Sequence, residues 1–217
     1  YSELLCGNVD ELSDKNFLHP FLNINNPREL ARELYNMLSE RFGSIDKKAV
    51  AKAVKDGFAA YNGYMAKVKE KGKSILAAAR KAGQRIMILA GRPYHIDPEI
   101  CHGIDRLATS LGFAVVSEDS VCDLAQKKVR PNVLNQWTYH SRLYRAAQYA
   151  CECDDVELVQ LVSFGCGVDA ITTDEVREIL ESQGKIYTQL KIDEITNLGA
   201  VKIRLRSLIG ALDERRA

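Results

Sequence analysis

Nowhere among the 217 residues does an uninterrupted apolar run approach the roughly 18 needed to cross a bilayer as a helix, and the N-terminus lacks the basic-then-apolar pattern of a signal peptide. A cytoplasmic chain with no membrane partner is therefore expected. Neither sign of charge is in excess: lysine plus arginine number 30 and aspartate plus glutamate 29. No overall field would draw the chain onto nucleic acid or an anionic surface. The six cysteines, Cys6, Cys101, Cys122, Cys151, Cys153 and Cys166, contain no C-x-x-C pair, which argues against a zinc ribbon. In a cytoplasmic chain they point to free thiols, metal ligands or redox chemistry rather than a disulfide framework. The glycine fingerprint G-x-G-x-x-G and the phosphate loop G-x-x-x-x-G-K-[ST] are both missing, so no ATP site is expected. Methionine does not open the chain either. It begins at Tyr1, and YSELLCGNVDEL reads as the end of an amphipathic helix, so the chain is expected to start within a longer protein.

What is present is a composition that is 46% hydrophobic, enough for one large α/β domain or one such domain with a helical annex. Residues 1–84 read as the annex. Asn26-Pro27 opens a helix that ends at Phe42-Gly43 with Leu30, Leu34, Met37 and Leu38 on one face. Ser44 or Asp46 can cap a second, long helix in which Val50, Val54, Phe58, Tyr61, Met65 and Val68 recur at helical spacing. Gly57, Gly63 and Gly72 are places where it could bend or break. This lysine-rich arm suits scaffolding or partner docking.

Residues 85–217 change rhythm. Short apolar strands are expected at 85–90, 113–117, 156–163 and 186–192, separated by helices over 98–111, 136–152 and 173–182, with a last helix from Gly199 to about Leu212. Strands that are continuous apolar runs and alternate with helices imply a Rossmann-like or flavodoxin-like parallel sheet of about four strands, covered on both faces. Ligands of such sheets sit beyond the carboxyl ends of the strands where strand order reverses. That places the candidate loops at 91–97, 118–122, 164–169 and 193–199.

The loop after the third strand reads Ser163-Phe164-Gly165-Cys166-Gly167. Glycine lets backbone approach a ligand, and neighbouring amides lower a thiol pKa or hydrogen-bond cluster sulfurs, so Cys166 is the best metal ligand. Equally, a cysteine between glycines fits a tight turn. After the first strand come Gly91, Arg92, Tyr94 and His95, with His102 further along, a set suited to an anion or an acyl-CoA phosphate. The plain alternative is that Arg92 and Asp97 tie the loop together and His95 is structural. His95 could also approach Cys166 and serve an acyl-transfer reaction. Asp193 and Glu194 are an acid, base or ligand pair, or simply caps. Trp137 and Tyr144 are assigned to packing, with His140 and Arg142 as site neighbours.

The strings ILAGRPYHIDPEI, SEDSV, ELVQLVSFGCGVDAITTD and KIYTQLKIDEITNLGAVKIRLRSL resemble the acyl-CoA dehydratase activase-related family, large proteins of anaerobes related to 2-hydroxyglutaryl-CoA dehydratase and its ATP-dependent activator. The likeness is strong over roughly 85–209 and loose before it. It implies a cluster-bearing electron-transfer and CoA-ester-binding module, with a 4Fe-4S cluster in the full-length protein to which Cys166 contributes. It implies as partners an actin-like ATPase module and an upstream cysteine-bearing region of the same polypeptide, and this chain alone would be inactive. Two other readings stand beside it: an acyl-CoA-processing enzyme using Cys166 and His95, with His95 or Glu194 catalytic, and a non-catalytic interaction domain.

Overall fold

A computed structural model describes residues 2–13, 18–163, 167–192 and 197–215. Its contacts group the chain into two units, Tyr1–Met65 and Ala66–Ala217. The annex expected over 1–84 thus gives its last residues to the sheet-bearing unit.

The first unit holds α1 (Ser2–Asn8), α2 (Asp10–Ser13), α3 (Pro27–Phe42) and the opening of α4 (Lys47–Lys81). Asn26 caps α3 by accepting the Glu29 amide, with proline in the first turn as expected. Between the two cap candidates for α4 it is Asp46 whose carboxylate accepts the Lys48 amide at 2.9 Å. The three glycines do not break α4, which runs unbroken for 35 residues. Gly57 and Gly63 face open space, whereas a methyl group at Gly72 would lie 2.8 Å from Ser120, so that glycine allows a close backbone approach.

The second unit is built on four parallel strands, β1 (Arg85–Ala90), β2 (Phe113–Ser117), β3 (Val156–Ser163) and β4 (Thr188–Ile192), in the order β2-β1-β3-β4. The fold is therefore the α/β, flavodoxin-like layer read from the sequence. Alternation along β1 sends Ile86, Ile88 and Ala90 to one face and Met87 and Leu89 to the other. The first face packs against Leu76 and Ala79 of α4, α7 (Glu118–Val121), α8 (Thr138–Cys151) and α9 (Gly167–Glu181). The second lies under α5 (Pro98–Cys101), α6 (Ile104–Ser110) and α10 (Leu198–Glu214). Each large aliphatic side chain so buried contributes about 1.5–3 kcal/mol.

Two expectations are corrected here. The single helix over 98–111 is two, because His102 (φ 50°) and Gly103 (φ 79°) adopt left-handed backbone between α5 and α6. The third interior helix starts six residues early, at Gly167 rather than Thr173. No described helix is long and apolar enough to cross a membrane.

Candidate functional site

The chain leaves β1 to reach β2 on one side and β3 on the other, so strand order reverses between β1 and β3. Because the two pair in parallel, the loops after Ala90 and Ser163 leave the same edge of the sheet and open one crevice.

At its floor is His95, only 1% exposed. Gly91 makes room for it: a Cβ there would collide with His95 Nδ1 and lie 3.1 Å from its Cβ and Cγ. The Arg92 amide donates to Nδ1 at 2.9 Å, which places the ring proton on Nε2. Nε2 then donates to Ser163 Oγ at 3.0 Å. Burial holds the imidazole below the ordinary histidine pKa, and the nearby Arg92 charge acts in the same direction against the pull of Asp169. His95 is thus a neutral spacer with both nitrogens engaged, not a free base. Since Ser163 accepts from His95, its own hydroxyl proton is left to donate, and the Tyr94 hydroxyl lies 3.4 Å away.

Arg92 turns inward. Its Nε and Nη2 reach Asp169 Oδ1 at 3.0 and 2.9 Å, and its Nη1 donates to the Tyr94 hydroxyl at 3.1 Å. The other carboxylate oxygen of Asp169 accepts the Ser163 amide at 2.9 Å. One buried carboxylate in the first turn of α9 therefore ties the β1 loop to the end of β3. Asp97 caps α5 through the Glu99 and Ile100 amides.

Of the residues singled out from sequence, Gly91, Arg92, Tyr94, His95 and Ser163 come together. Gly167 begins α9, exposed. His102 lies instead in a cleft of about 450 Å³ with Leu89, Ile96, Cys101, Arg106 and Ser117. Phe164, Gly165, Cys166, Asp193 and Glu194 lie outside the described residues. His140, read as a site neighbour, has its pKa lowered by burial and by the Arg92 charge, against the pull of Asp169. Trp137 corrects its packing assignment: it is 46% exposed, while Tyr144 is core at 1%.

Two residues were missed. Asp169, at the end of the candidate loop 164–169, was given no role of its own. Glu118, in the first turn of α7, is 3% exposed, and its Oε2 meets no partner among the described residues. Burial, helped by Asp119, pushes its pKa up to about 7. Its only advance signal was its place right after β2.

The described cysteines do not form a cluster cage. Among the described residues no three His, Cys, Asp or Glu side chains converge as a metal requires. Cys101 and Cys122 are buried in the core, and burial pushes the thiols of Cys122 and Cys151 up to about 11, away from the thiolate a ligand must be.

A family model described as CoA enzyme activase uncharacterised domain matches residues 1–121. The match takes in β1, the Gly91–His95 loop and β2, and it stops short of Ser163 and Asp169. No curated protein matches the chain, and no solved structure does.

Proposed function

Since the chain belongs to the CoA enzyme activase uncharacterised domain family, we propose that its α/β unit is the ligand-binding module of a 2-hydroxyacyl-CoA dehydratase activase-related protein. Its crevice between β1 and β3 takes a CoA ester beside an iron–sulfur cluster that Cys166 helps to hold. The observation that carries the reading is the proton order Arg92 N–H to His95 Nδ1 and His95 Nε2–H to Ser163 Oγ. It leaves one hydroxyl proton of the hydrogen-bonded Ser163–Tyr94 pair to donate at the mouth, suited to a thioester carbonyl or a cluster sulfide. The same order weighs against His95 as general base for an acyl transfer.

The cluster, when bound, supplies low-potential electrons. Its remaining ligands come from the upstream cysteine-bearing region of the same polypeptide, and an actin-like ATPase module of that polypeptide delivers the electrons. Iron and sulfide analysis of the anaerobically prepared full-length protein tests this. Cys166→Ala is expected to remove most of the iron, and Cys101→Ala to leave it nearly unchanged. Equal loss in both variants, or none in either, defeats the cluster assignment.

A further inference from the structure

The cleft beside His102 is separate from the crevice, and Gly91, Arg92, His95, Ser163 and Asp169 are not among its lining residues. It holds about 450 Å³ between the ends of β1 and β2, the turn Pro93–Ile96, α5 and α6. Small-molecule sites typically measure about 300–1,000 Å³. The turn Pro93–Ile96 serves both places, with His95 buried in the crevice floor and Ile96 lining the cleft. Leu89, Cys101 and Val116 form the buried part of the cleft, Val115 is half-buried, and Ile96 is left 51% exposed. Another part of its wall is the break between α5 and α6, where His102 and Gly103 both take left-handed backbone. A histidine in that conformation is strained, and such strain persists where the surroundings fix it, commonly at ligand clamps.

The charges around this apolar pocket are of both signs. Glu99, Asp105 and Arg106 all line it, all are exposed, and none is in an ion pair among the described residues. Elsewhere in the same unit Arg80, Arg85, Arg92 and Lys185 are each matched by a carboxylate. Asp105 and Arg106 are consecutive on α6, a spacing at which side chains do not face each other. The Asp105 carboxylate has only the Cys101 thiol beside it, at 4.0 Å. Two carboxylates against one guanidinium repel a polyanion such as a nucleotide, yet they offer one place to a cation and one to an anion. We propose that the cleft binds a free α-amino acid with an aliphatic side chain. Its ammonium group meets Glu99 and Asp105, its carboxylate meets Arg106, and its side chain packs against Leu89, Ile96 and Val115. The guanidinium fork takes a carboxylate through two parallel hydrogen bonds. The aliphatic end covers the surface that Ile96 now leaves in water.

Titration calorimetry of the unaltered protein with L-leucine at neutral pH is expected to show saturable binding at one site. Three analogues each lack one of the recognised parts: L-leucinamide the carboxylate, N-acetyl-L-leucine the cation, and glycine the aliphatic side chain. Each should bind about tenfold or more weakly than leucine. Arg106→Ala and Asp105→Asn should each weaken leucine binding about tenfold, and Ile96→Ser should weaken it in the same direction. All three positions are exposed, so the variants should fold, which circular dichroism checks. No binding of leucine, isoleucine or valine overturns the proposal. Leucine binding undiminished in both Arg106→Ala and Asp105→Asn, or N-acetyl-L-leucine bound as tightly as leucine, overturns it as well. The CoA-ester reading stands or falls separately, because no coenzyme A enters this test and no crevice residue is altered.

Discussion

Replacing Gly91 by alanine tests the crevice floor with a single methyl group. The new Cβ collides with Nδ1 of an imidazole that is 1% exposed and cannot swing into solvent. To make room the ring must withdraw from the Arg92 amide, now 2.9 Å away, and from Ser163 Oγ, at 3.0 Å. Two hydrogen bonds at about 1 kcal/mol each, plus about 1–2 kcal/mol of overpacking, give an expected destabilisation of about 3 kcal/mol. Urea unfolding followed by Trp137 fluorescence reads this near the perturbed site. The decisive measurement is the cycle with His95→Ala, which removes the obstructing ring. In that background Gly91→Ala should cost less than about 1 kcal/mol, leaving a coupling of about 2 kcal/mol. A cost below about 0.5 kcal/mol in the natural chain, or an equal cost in both backgrounds, would refute the steric account.

The other glycines and one buried acid give contrasting outcomes. Gly57→Ala and Gly63→Ala, on open stretches of α4, should each stabilise by about 0.5–1 kcal/mol in thermal or urea unfolding. Gly72→Ala should instead destabilise by about 1–3 kcal/mol, because its methyl group meets the Ser120 backbone and side chain. Glu118, with a folded pKa near 7 against an ordinary 4.5, binds its proton more tightly folded than unfolded, so its contribution is full below about pH 4.5 and declines as pH rises through 7. Glu118→Gln keeps the size of the side chain and cannot ionise. It should therefore flatten unfolding free energy between pH 5 and 8 and exceed the natural chain at pH 8 by up to about 3 kcal/mol. Parallel pH curves for the two proteins would count against a buried, proton-holding Glu118.

Where the chain's apolar pattern was continuous, its structure was legible. Val156–Ser163 matches its expected span end to end, because Val156, Leu158, Val159, Leu161 and Val162, crowded into so short a stretch, fit a strand buried on both faces. Boundaries failed where a distant partner replaced a local signal. The helix after β3 was read from Thr173. In the fold it starts at Gly167, and Asp169 is occupied by Arg92 and the Ser163 amide. The break at His102 was foreshadowed by Gly103, yet a histidine at positive φ has no period to betray it. Trp137 misled for another reason: helical spacing identifies a face, not which face is covered.

The same distinction governs the site. Spacing could put Arg92, Tyr94, His95 and Ser163 at one sheet edge, since parallel strands send their carboxyl ends the same way. It could not say which charges would remain. Arg92, read as an anion anchor, is matched by the buried carboxylate of Asp169, which the β1 loop meets only after the chain has passed through β2, α8 and β3. That pairing leaves the crevice floor close to neutral, with the Ser163–Tyr94 pair as a donor that chooses an acceptor by position rather than by charge. A phosphate gains little from such a floor, whereas a carbonyl oxygen suffers no loss there.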